Sequence, residues 1–118
     1  MRFYKCSHCG NIIAFTDNMG VPVVCCGEKM QELIPNTVDA SAEKHVPAIA
    51  LDGAKVTVTV GSTLHPMLPE HHIHWIALET EQGNQRKELK GQTPSACFML
   101  CEGDKVVYRP TCHYAYHP

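Results

Sequence analysis

Lys55 to Val60 alternates polar and apolar residues without a break, Lys-Val-Thr-Val-Thr-Val, and stops at Gly61-Ser62. Strict alternation puts every second side chain on one face of an extended chain, so this segment predicts a half-buried β-strand. Ile73 to Thr80 is apolar and aromatic, and Gln82-Gly83-Asn84 predicts a turn into a strand over Gln85 to Leu89. Ala96 to Cys101 predicts another strand, turned by Gly103-Asp104 into Lys105 to Arg109. Nearer the start, Phe3-Tyr4-Lys5 reads as a short strand. Asn11 to Phe15 and Val21 to Val24 read as two strands joined by Asp17-Asn18-Met19-Gly20, a hairpin turn signal. Met30 to Ile34 leads out of this region, and Pro35 to Ala42 reads as a linker. No long stretch has helical periodicity. The expected fold class is all-β, with an antiparallel sandwich beyond the linker.

Composition adds a constraint on the first part. The chain has 118 residues, enough for a metal-held mini-domain plus one small sandwich. A unit of about 35 residues cannot bury enough apolar surface to fold alone. A net charge of −2, with 19% charged residues, points to neither nucleic acid nor membrane surface. No apolar run approaches a membrane span, and Met1 to Cys6 has no signal-peptide core, so the expected location is the cytoplasm. Seven cysteines, an odd number, then fit reduced thiolates on metal better than disulfides.

The thiols are arranged for that. Cys6 and Cys9, in Cys-Ser-His-Cys-Gly, have the spacing at which one loop gives two ligands to one ion. Gly10 follows where such a knuckle needs positive φ. Cys25 and Cys26 are adjacent, and holding both on one ion bends the backbone. Four thiolates select zinc or iron, and the spacing alone leaves both open. A second soft and imidazole set, His45, His65, His71, Cys112 and His117, follows in the rest of the chain. His72 and His74 would share the face opposite His71 on a strand, which reads as a solvated edge. Cys97 and Cys101 share a strand face and read as buried small hydrophobes.

Cys-x-x-Cys followed by Cys25-Cys26 resembles the desulforedoxin module, over about Phe3 to Pro35. Beyond it, Glu43-Lys44-His45-Val46-Pro47, His65-Pro66-Met67 with His71, Trp75-Ile76-Ala77-Leu78, Gln85-Arg86-Lys87 and Gly103-Asp104-Lys105-Val106-Val107 resemble the superoxide reductases of the desulfoferrodoxin and neelaredoxin family. The resemblance spans nearly the whole chain. It implies a desulforedoxin/rubredoxin-like module over 1–36 and an immunoglobulin-like β-sandwich over 37–118. It implies two irons, one on Cys6, Cys9, Cys25 and Cys26, the other on equatorial histidines and an axial Cys112. Carried over, His45, His65 and His71 are equatorial, Lys44 attracts superoxide, and Glu43 assists product release. The implied partners are superoxide, a rubredoxin-type electron donor and a second copy of the chain in a homodimer.

One position departs from the family pattern. The family places its fourth histidine three residues after the axial cysteine, where this chain has Ala115. His117 is the expected replacement, with His113 or a remodelled site as alternatives. A non-enzymatic electron carrier that has lost the second iron therefore remains a rival reading, as does a zinc-stabilised interaction module.

Overall fold

The computed structural model describes residues 1–34, 47–61, 67–68, 72–90, 93–107 and 113–116. Every regular element among them is a strand. The chain divides into two compact units, Met1–Ile34 and Pro35–Pro118.

The first unit has five short strands: β1 (Phe3–Lys5), β2 (Ile12–Ala14), β3 (Val24–Cys25), β4 (Glu28–Lys29) and β5 (Gln31–Leu33). They form a three-stranded sheet in the order β2-β1-β5 and a separate two-stranded β3-β4. The first cysteine loop is itself the turn between β1 and β2. Cys6 N–H donates to the Asn11 carbonyl at 2.9 Å and Gly10 N–H to the Cys6 carbonyl at 3.1 Å. Gly10 sits at φ +83°, the left-handed conformation a side chain would resist.

The expected hairpin between residues 11–15 and 21–24 is not formed. β2 pairs with β1, and β3 pairs with β4. The cysteine turns take these strands instead: residues 6–11 close β2 on β1, and the two-residue turn Cys26-Gly27 closes β3 on β4. Pro22 also lacks an amide hydrogen to give to a ladder. Asp17 to Gly20 still turns, with Asn18 Oδ1 accepting the Gly20 N–H at 2.8 Å, but it closes no ladder.

The second unit contains β6 (Pro47–Asp52), β7 (Lys55–Val60), β8 (Trp75–Thr80), β9 (Gly83–Glu88), β10 (Ser95–Met99) and β11 (His113–Tyr116). Two antiparallel sheets result, β10-β7-β6 and β11-β8-β9. The alternation in β7 does what period two demands. Val56, Val58 and Val60 are fully buried, and pack with Ile76 and Leu78 of β8, Ala96 and Phe98 of β10, Ile73 and Val106. Each large apolar side chain so buried stabilises by roughly 1.5–3 kcal/mol. This is the expected all-β sandwich.

Two turns differ from expectation. The β8–β9 hairpin closes at the Thr80–Gly83 pair, so Glu81-Gln82 forms the turn rather than Gln82-Gly83-Asn84. Gly103-Asp104 does not return the chain along β10. It carries the chain to the other sheet, where Val106 bridges Thr80 and Val107 N–H donates to the Glu79 carbonyl at 3.1 Å. Asp104 Oδ1 fixes this crossing by accepting N–H groups from Gln82 at 3.2 Å and Lys105 at 2.9 Å.

Candidate metal centres

Two turns bring Cys6, Cys9, Cys25 and Cys26 together, with all four Sγ atoms within 4.8 Å of one another. Cys9 Sγ and Cys25 Sγ are 3.6 Å apart. A disulfide would need about 2.05 Å. A metal–sulfur bond of about 2.3 Å in a tetrahedron puts neighbouring sulfurs about 3.8 Å apart. The observed separation is that of a cage edge, and all four thiols are free.

The adjacent pair is accommodated by a specific backbone device. Cys26 lies at φ +52° and Gly27 at φ +80°, between the paired residues Cys25 and Glu28. Positive φ at both central residues is the type I′ pattern, whose twist matches a two-residue hairpin. Cys25 thus gives its sulfur from the strand and Cys26 from the turn. Cys26 is the single non-glycine residue at positive φ among those described, and its backbone carries the strain of a tight cage.

Amide hydrogens surround the sulfurs. His8 and Cys9 N–H donate to Cys6 Sγ at 3.4 and 3.5 Å. Asn11 donates twice, its N–H to Cys9 Sγ at 3.5 Å and its side-chain amide to Cys25 Sγ at 3.8 Å. The Cys9 N–H, followed by that of His8, draws the Cys6 thiol down to about 6 against the opposition of burial. Its neighbours move the other way. Hydrogen bonding with Cys9, then with Cys6, pushes Cys25 up to about 12 and raises Cys26. The bare cage therefore holds one thiolate readily and resists more, so a bound cation must expel protons from the others. These donors suit a soft, sulfur-seeking cation. Cys6 is 2% exposed, whereas Cys9 and Cys26 are exposed, so one edge of the cage faces solvent.

The second ligand set lies outside the described residues: Glu43, Lys44, His45, His65, His71, Cys112 and His117. Of the residues around it, Ala115 stands in β11 opposite Ile76, and His113 opposite Leu78. His72 and His74 share a face as expected, but in an extended segment ahead of β8, and both are half-buried. Their rings stack at 4.4 Å, and His72 Nδ1 lies 2.8 Å from the Leu68 carbonyl. Cys97 and Cys101 are not buried. Both are exposed, because Cys97 pairs with Thr57 on the outer face of the sheet and Cys101 lies beyond the end of β10.

Two family models match, one described as Desulfoferrodoxin, N-terminal domain, over residues 1–33, and one as Desulfoferrodoxin over residues 37–115. The chain belongs to the desulfoferrodoxin family. A desulfoferrodoxin of Nitratidesulfovibrio vulgaris is 44% identical over 98% of this chain and 92% of its own length. A protein named superoxide reductase from Pyrococcus horikoshii is 51% identical over 34% of this chain and 39% of its own. The crystal structure of the superoxide reductase from Treponema pallidum superimposes with a TM-score of 0.71 at 36% identity, covering 89% of this chain and 86% of that one. The four cysteines come together as their spacing predicts, whereas the amide contacts around them were not expected from the sequence. Asn11, directly after the Cys-x-x-Cys-Gly run, was the available signal.

Proposed function

We propose that this chain is a superoxide reductase with two irons, in a module over 1–36 and a catalytic domain over 37–118. The likeness over 89% of the chain to a superoxide reductase carries the reading. The reaction takes superoxide, one electron and two protons to hydrogen peroxide. Iron held there would supply the electron, and an external rubredoxin-type protein would be the donor that replaces it.

The residues divide the remaining work. His45, His65, His71 and His117 would hold the iron as neutral imidazoles, and Cys112 would hold it as a thiolate. The thiolate would raise electron density on the metal, while imidazoles would leave it enough positive charge to attract an anion. Lys44 draws superoxide in and stabilises the charge that develops on reduction. Glu43 assists departure of the product. Cys6, Cys9, Cys25 and Cys26 would hold the other iron, and the solvent-facing edge of their cage at Cys9 and Cys26 suits electron entry. The protein acts in the cytoplasm as a homodimer.

Ala115, at the place of the family histidine, favours a second reading: an electron carrier with only the four-cysteine iron. Anaerobic metal analysis with an oxidised-minus-reduced visible spectrum separates the two. About two irons per chain, and a ferric–thiolate band that Cys112→Ser removes while sparing the N-terminal absorption, support the reductase. One iron per chain, untouched by Cys112→Ser, overturns it.

A further inference from the structure

The two cysteine turns are joined by a contact that does not involve the thiols. Glu28, two residues past Cys26, turns one carboxylate oxygen toward both non-ligand residues of the first loop. Ser7 Oγ donates to Glu28 Oε2 at 3.3 Å, and His8 Nε2 lies 3.2 Å from the same oxygen. Neutral imidazole with its hydrogen on Nε2 suffices for this bond. The ladders provide no such link, because β3-β4 is a sheet apart from the β2-β1-β5 sheet that leads into Cys6. His8 is also tied to the cage directly, since its N–H donates to Cys6 Sγ.

The geometry points to Glu28 as a positioning residue that, with Ser7 and His8, latches the two cysteine turns and slows escape of the metal from the four-thiolate cage. This inference rests on the metal reading of the cage. With the latch closed, loss of one metal–sulfur bond leaves the turns side by side, so the sulfur can rebind before a second bond breaks. The Glu28 carboxylate also sets a negative charge against Ser7 and His8, the two residues between Cys6 and Cys9. Removing that charge disfavours the oxidised metal, so the centre becomes easier to reduce.

The test uses the full iron-loaded chain. Release of iron to excess chelator is followed by decay of the four-cysteine absorption, the one that Cys112→Ser spares, and the midpoint potential of that centre is taken from a redox titration. His8 and Glu28 are about half exposed, so the expected effect is modest: Glu28→Gln and His8→Ala each speed release about two- to fivefold. The double variant releases iron no faster than the worse single one, because both changes open the same latch. The Glu28→Gln midpoint moves to a more positive value, which a purely structural loosening would not require. Unchanged release in both variants, fully additive effects, or an unmoved midpoint would overturn the proposal. Both side chains are about half exposed and neither belongs to the buried set, so the variants are expected to keep the fold. A wild-type chain lacking the sulfur-to-iron absorption would instead refute the metal reading itself.

Discussion

The two units reach order by different means. In Met1–Ile34 the buried apolar side chains among the described residues are Phe3 and Cys6, while Met19 is 86% and Val21 71% exposed. In the second unit nine residues from both sheets form one continuous buried cluster. A chain of some 35 residues with so little interior cannot offset the entropy of ordering its backbone, about 1–2 kcal/mol per residue. The sandwich can. Where the core is thin, the bonding at a metal takes over the role that packing plays elsewhere.

The largest test of this contrast is to remove the metal from the first unit alone. Cys25→Ser in the full chain should abolish ordered amide signals for residues 1–34 while those of β7, β8 and β10 persist. A cooperative loss of both units would erase the distinction. Phe98→Ala attacks the other side, leaving a void in the sandwich core and costing about 3–5 kcal/mol. Its thermal transition should drop while the absorption of the four-cysteine centre stays unchanged. Gly27→Ala is smaller. Beyond its chain neighbours no atom lies within 4 Å of the added methyl, so the cost is that of holding alanine at φ +80°, about 1–2 kcal/mol. It should appear as weaker metal retention with the sandwich transition unmoved. Arg86→Ala should shift stability least, by under about 0.5 kcal/mol in chemical denaturation, because its 3.4 Å pair with Glu88 is solvent-exposed.

The same contrast explains what was legible in the sequence. Val56, Val58 and Val60 announced a strand because burial on one face writes a period of two into the residues. That rule also explains the miss at Cys97, since counting forward from Val56 does not reveal which phase a partner strand adopts. Only the Cys97–Thr57 register puts it outside. The four-cysteine cage was readable from spacing, since ligand chemistry survives without knowledge of the fold. The contacts of Glu28 with Ser7 and His8 were not. They join residues 21 and 20 positions apart that share no periodic pattern, and only the two turns bring them together. β5 and β6 were missed for a related reason: Gln31-Glu32-Leu33 and Pro47 to Asp52 are largely exposed, so burial left little mark on them.

β8 lies between β11 and β9, and is closed off on its two faces as well, with Ile76 and Leu78 to one side and Trp75 and Ala77 to the other. Such a strand cannot fray from an edge, and exposing it means prying the sheets apart altogether. A deuterium label from the solvent would enter it last, making this one strand a gauge of whole-sandwich unfolding.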